Sequence, residues 1–304
     1  MKLYLHIGLP RTASTFLQND IFPELNNLKY FGPKSKTSHT IGKLLRDQNP
    51  DWKGIKLLKE TTKFSDTILA SDEGFSMQPW SQDYTYPTDN LKKIFEEIEI
   101  ILFLRHPTDW VLSLYGLAVQ KFRFMTLEEF LGFDGYSFGE FSESVVQKYS
   151  NWGKTRIQIE SLRFSEVIKA WRKIFPRTHV FFFEDFISNR EKVLSKVLNL
   201  LDSNLDLSEF PVNQRRNYSP SIDAQDTAVG IFQTFAKGLP ANGLRRSFQF
   251  RVAERLAIKA IERELCFNMY ARIKLRERLP RLLDNFFVEE IACVKSLVPD
   301  CPWR

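Results

Sequence analysis

The chain has 304 residues, 43% hydrophobic and 26% charged, a balance that excludes a disordered or fibrous polymer and leaves ample length for a buried core. Its 43 Lys and Arg against 37 Asp and Glu give a formal charge of +6, which favours anionic partners: nucleic acid, an acidic membrane surface or a phosphate-bearing small molecule. No apolar run approaches the ~20 residues of a membrane span and the start lacks a secretory leader pattern. Cys266, Cys293 and Cys301 show no metal-ligand spacing and read as reduced thiols, so a cytoplasmic protein is expected.

The first predicted element is a strand containing Leu3, Leu5 and Ile7, followed by a small-residue turn over Gly8 to Ser14 and a helix marked by Phe16, Leu17, Ile21 and Leu25. A strand running through small residues into a helix start is how proteins build oxyanion sites, because the first N–H groups of a helix lack intrahelical partners. Set against the nucleotide loop GxxxxGK[ST], the stretch Gly8-Leu-Pro-Arg-Thr-Ala-Ser-Thr15 has Ala13 for the second Gly and Ser14 for the Lys. It is therefore a poor cradle for a triphosphate with its magnesium. Arg11, the loop's cation, suits a single phosphate and the group leaving from it.

Pro10-Arg-Thr-Ala-Ser-Thr-Phe-Leu17 resembles the 5′-phosphosulfate loop of the sulfotransferases that use 3′-phosphoadenosine 5′-phosphosulfate (PAPS), usually Pro-Lys-Ser/Thr-Gly-Thr/Ser-Thr-Trp-Leu. Arg11 falls on the family's Lys, Ala13 on its Gly, and Ser14 and Thr15 on its hydroxyl pair. The resemblance implies that Arg11, Thr12, Ala13, Ser14 and Thr15 hold the donor, with Arg11 stabilising charge on the bridging oxygen.

A polar loop, Pro33 to Thr40, leads into a short helix predicted over Ile41–Arg46, with His39 either a base or, more simply, a surface residue. Ile68, Leu69 and Ala70 form a second strand, ending in Ser71, Asp72 and Glu73 where open α/β sheets gather ligands. This turn resembles the Ser-Asp-Glu turn of bacterial sulfotransferases. Cytosolic relatives place a His base there, so Glu73 is its natural substitute, with Asp72 and His39 as alternatives.

A third, strongly apolar strand ends at Arg105; Pro107 opens a helix, and Ser113 stands about two turns along it. Arg-x-Pro followed by Ser at this spacing resembles the sulfotransferase 3′-phosphate motif, with Arg105 and Ser113 as the matching pair. Thr126–Leu131 reads as a capped short helix, and the resemblance implies that it lies in an acceptor-side insertion at about 115–160. Leu162, Val167, Ile168, Trp171, Ile174 and Phe175 mark an amphipathic helix, and a strand from Thr178 ends in Glu184 and Asp185, read as structural. The basic loop with Arg215, Arg216, Asn217 and Ser219 matches, in character, a late loop closing over the nucleotide. From Arg245 to Arg281 basic residues alternate with Phe248, Val252, Leu256 and other apolar residues, and Pro280 is expected to break the helix.

The expected architecture is one α/β domain over 1–304, a three-layer sandwich around a mostly parallel sheet of four or five strands, P-loop-NTPase-like, with a helical C-terminal region over 240–304. The resemblance implies PAPS as donor, no metal, and transfer to a hydroxyl acceptor such as a saccharide, lipid or small metabolite, with Glu73 as base. Nucleic acid is not an expected partner, although peripheral membrane contact is compatible with the basic segment. The rivals are a P-loop kinase, disfavoured by the missing Gly-Lys pair, and a non-catalytic basic module working through 245–281. Acceptor identity, O- against N-sulfation and oligomeric state are not legible.

Overall fold

The computed structural model describes residues 1–46, 52–61, 67–75, 89–120, 126–133, 162–210, 227–232, 248–262 and 270–304, with positions 138, 159 and 225. Backbone contacts divide it into two compact units: Met1–His106 with Arg163–Arg216 and Val288–Arg304, and Pro107–Leu162 with Asn217–Phe287.

The first unit carries β1 (Lys2–His6), β2 (Lys29–Phe31), β3 (Thr67–Ser71), β4 (Glu97–Leu104) and β5 (Thr178–Phe182). They form one all-parallel sheet in the order β2-β3-β1-β4-β5, so the chain is α/β at the upper end of the expected strand number. The helices are α1 (Ser14–Phe16), α2 (Lys36–Arg46), α3 (Trp52–Thr61), α4 (Pro107–Gln120), α5 (Leu127–Leu131), α6 (Phe164–Ile174), α7 (Phe183–Ser188), α8 (Arg190–Leu200), α9 (Phe248–Glu262) and α10 (Tyr270–Leu297).

Register sets Tyr4 beside Leu69 and Glu99, and His6 beside Ser71 and Ile101, so these side chains share one face. The other face carries Leu3, Leu5, Ile68, Ala70, Ile100 and Leu102, all fully buried. Apolar side chains on both faces are what an all-parallel sheet requires, since helices cover each side. On the Tyr4 face, Phe16, Leu17, Ile21 and Phe22 close the core with Val193, Leu194, Val197 and Leu198 of α8.

Three expectations are corrected in detail. The helix expected after the loop is wound in three ways: α1, a π turn over Leu17–Ile21 and a 3-10 turn over Phe22–Glu24. Pro23 has no N–H with which to continue an α ladder. Helix α2 starts at Lys36, not Ile41, because the Ser35 hydroxyl accepts from the Ser38 N–H at 3.0 Å and caps it. Pro280 lies inside α10 and does not end it; Leu279, Leu283 and Phe287, all buried, anchor the helix on both sides of the lost hydrogen bond.

The carboxylate of Glu184 accepts from the His106 N–H at 2.8 Å and from the Trp303 indole N–H at 2.9 Å. It is thus a structural clamp between the end of β4 and the chain's last residues, as its position after β5 suggested. In the second unit, α5 has its expected capping box, with Thr126 and Glu129 exchanging hydrogen bonds at 3.1 and 2.9 Å. Among the described side chains of α9, Ala253, Ala257 and Ala260 are buried and Leu256 is exposed. Most of the predicted insertion, the Arg215–Ser219 loop, Cys266 and the side chains of 261–278 lie outside the described residues.

Candidate functional site

The strand order places a switch point at β1 and β4: the chain leaves β1 toward β2 on one side and leaves β4 toward β5 on the other. In open parallel sheets a crevice forms between two such loops at the carboxyl ends. Here those loops are Ile7–Ala13 and Arg105–His106.

The first loop stays tied to β4 beyond the strand, with Ile7 N–H donating to Ile101 O at 2.9 Å and Leu9 N–H to Phe103 O at 3.2 Å. It then turns sharply, and Arg11 and Ala13 take left-handed conformations at φ 68° and 69°. For residues with a Cβ this costs about 1–2 kcal/mol each. Strain of this kind persists only where surrounding contacts enforce it. Ala13 caps the helical run, its carbonyl accepting from Phe16 N–H at 3.0 Å and Leu17 N–H at 3.2 Å.

Within the loop the Thr12 hydroxyl donates to Leu9 O at 2.5 Å, and the Ser14 hydroxyl reaches the same carbonyl at 3.4 Å. Both side chains are buried, while Arg11, Ala13 and Thr15 are half-buried. Arg105, at the end of β4, donates from Nη1 to the Arg11 carbonyl at 3.3 Å and lies over the Phe183 ring at 4.6 Å. The strand-end arginine and the loop, 94 residues apart, therefore meet. Ser113 is buried within α4, which belongs to the second unit.

The turn after β3 comes from another side. Asp72 Oδ1 accepts from the Gly74 N–H at 2.7 Å, and Arg46 donates to the Gly74 carbonyl, so the turn is held from both ends. This engages Asp72 in shaping the turn. Glu73 is half-buried, and its charge is felt at Arg11. Burial pushes the Arg11 guanidinium below its usual pKa, and the Glu73 carboxylate pulls it back toward the charged form. His39 is exposed on α2.

Sequence reasoning missed a polar cluster beneath the loop. His6 Nδ1 lies 2.7 Å from Ser71 Oγ, and Gln18 Nε2 donates to the same oxygen at 3.0 Å. The His6 ring is held edge-on by Phe22 and Phe103, with centroids 5.2 and 5.7 Å away. Tyr30 donates to Gln18 O at 3.1 Å; burial, then the nearby Asp72 charge, pushes its phenol up to about 12. The available signal was a lone His in an otherwise apolar strand, two residues before the loop.

Complete burial pushes the His6 pKa down to about 3 from 6.5. The folded protein therefore keeps His6 neutral while the unfolded chain protonates it below about 6.5. The resulting stability is fully present above that value and is lost as pH falls toward 3. The unfolding free energy of the wild type should fall with pH over this window more steeply than that of His6→Gln, by up to about 1.4 kcal/mol per pH unit. Parallel curves for the two proteins would refute the buried neutral imidazole.

Among the described residues, no group of three or more His, Cys, Asp or Glu is placed to hold a metal ion, and no helix is long and apolar enough to cross a membrane.

The fold defines an α/β protein with a tightly turned loop at a parallel-sheet switch point. No protein-family model matches the chain, and no curated protein matches it. Among solved structures it is similar to a sulfotransferase from Alicyclobacillus acidocaldarius, at TM-score 0.48 and 13% identity over 78% of this chain and 93% of that one. It is also similar to the sulfotransferase domain from the curacin biosynthetic pathway, at TM-score 0.39 and 14% identity over 84% and 97% of the two chains. A third similarity is to mouse sulfotransferase SULT7A1 complexed with PAP, at TM-score 0.36 and 9% identity over 95% and 88%.

Proposed function

We propose that the protein is a PAPS-dependent sulfotransferase that moves a sulfuryl group to an acceptor hydroxyl. One observation supports the reading above all: Arg105, at the end of β4, reaches the backbone of the Gly8–Thr15 loop at Arg11. A donor with phosphate at its 5′ end and another on the ribose 3′ position calls for cationic groups close together in space.

In this mechanism the acceptor oxygen attacks sulfur as the bond from sulfur to the bridging oxygen breaks. The products are a sulfate ester and 3′-phosphoadenosine 5′-phosphate, and the acceptor's proton passes to Glu73. Arg11 stabilises the charge that collects on the bridging oxygen, while Thr12, Ala13, Ser14 and Thr15 line the 5′-phosphate. Arg105 takes the 3′-phosphate. Positioning and fixed charge supply the catalysis, as in phosphoryl transfer, and the cycle runs without a metal. The acceptor is a saccharide, lipid or small-metabolite hydroxyl, met in the cytoplasm.

Calorimetric titration with adenosine 3′,5′-bisphosphate and with AMP tests this. The wild type should prefer the bisphosphate, and Arg105→Ala should lose roughly 10- to 100-fold of affinity for it, a larger loss than for AMP. Equal affinity for both nucleotides would remove the reading, and salt-sensitive binding to any polyanion would replace it with a basic module.

A further inference from the structure

We propose that His6 is a positioning residue for donor binding: through the chain Gln18–Ser71–His6–Ser14 it turns the Ser14 hydroxyl onto the 5′-phosphate. This rests on the sulfotransferase reading above.

The argument begins at Ser71, which is fully buried. Its hydroxyl oxygen receives a proton from Gln18 Nε2 at 3.0 Å and lies 2.7 Å from His6 Nδ1. The Ser71 proton needs an acceptor, and among the described residues only His6 Nδ1 offers a lone pair. Ser71 therefore donates to Nδ1, and the neutral imidazole carries its proton on Nε2.

That Nε2–H has no hydrogen-bond partner among the described residues, although it is wholly buried. A buried donor left alone costs about 1–3 kcal/mol and calls for an explanation. Gly8 supplies one. A Cβ built on Gly8 would sit 2.9 Å from His6 Nε2 and 2.6 Å from Ser14 Oγ, so both polar atoms border the same space, open only because residue 8 is glycine. The Ser14 hydroxyl is meanwhile held only by a long contact of 3.4 Å to Leu9 O.

When an anion enters the loop, Ser14 turns from Leu9 O and donates to it, and its oxygen accepts from His6 Nε2–H. Every donor in the chain then points toward the negative charge, an order in which each hydrogen bond strengthens the next.

Two variants separate this role from mere packing. A Gln amide at position 6 reaches the place of Nε2, whereas an Asn amide reaches only that of Nδ1. His6→Asn should bind adenosine 3′,5′-bisphosphate about tenfold more weakly, and His6→Gln should stay within about threefold of wild type. Adenosine 3′-phosphate, which lacks the 5′ group, should bind all three proteins alike. The nitrogen NMR spectrum of the wild-type imidazole, readable whether or not the variants fold, should show the proton on Nε2 at neutral pH. A proton on Nδ1, or equal losses for both nucleotides in both variants, overturns the proposal alone. A wild type that does not bind the bisphosphate overturns the functional reading, and this one with it.

Discussion

Glu73→Gln should lower turnover with labelled donor by about 10²–10⁴-fold, the usual worth of a positioned general base. Affinity for adenosine 3′,5′-bisphosphate should stay within about twofold, since the change keeps the side chain's shape while removing its charge and its ability to take a proton. The residue stands in a 3-10 turn directly beyond β3, at the carboxyl edge of the sheet, and its charge bears on Arg11. The alternatives are less well placed: Asp72 spends one oxygen on the Gly74 N–H at 2.7 Å, and His39 lies exposed on α2. Single-turnover quench measurements separate chemistry from release. Turnover retained in Glu73→Gln, with binding intact, would move the base to Asp72, and Asp72→Asn would then show the loss.

What the sequence disclosed follows from how locally each feature is determined. Strands β1, β3, β4 and β5 were legible because a parallel sheet covered on both faces needs largely apolar runs, and these runs end abruptly at Gly8, Asp72, Arg105 and Glu184. The turn after β1 was legible because Gly8 and a run of small residues interrupt an apolar strand. Other features turned on a single cap or on partners far along the chain. Helix α2 starts early because of one Ser35 hydroxyl, and α10 crosses Pro280 because buried neighbours hold it. The His6 cluster joins residues 6, 18 and 71, which no window along the chain brings together. Ala13 at φ 69° explains in hindsight why glycine is the usual residue there in the loop it resembles, since glycine meets no steric cost in that region.

Arg11→Ala should reduce turnover by about 10²–10³-fold, the effect of removing one preorganised group from a site of developing negative charge. Donor affinity should fall less, by about tenfold, because in the proposed mechanism the loop backbone also contacts the 5′-phosphate. The substitution is informative because it divides the residue in two. Arg105 holds the Arg11 carbonyl, not its side chain, at 3.3 Å, so truncation leaves that tie and the left-handed turn in place. It also deprives Glu73 of a neighbouring positive charge. Residues coupled in this way do not act additively, so Arg11→Ala with Glu73→Gln should cost less than the two single losses combined. Arg11→Lys, which restores a cation without the planar fork, should recover most of the turnover lost in the alanine variant. Equal turnover in wild type and Arg11→Ala would mean that charge on the leaving oxygen is stabilised elsewhere, and strictly additive losses in the double variant would mean that the arginine and the carboxylate serve unconnected steps.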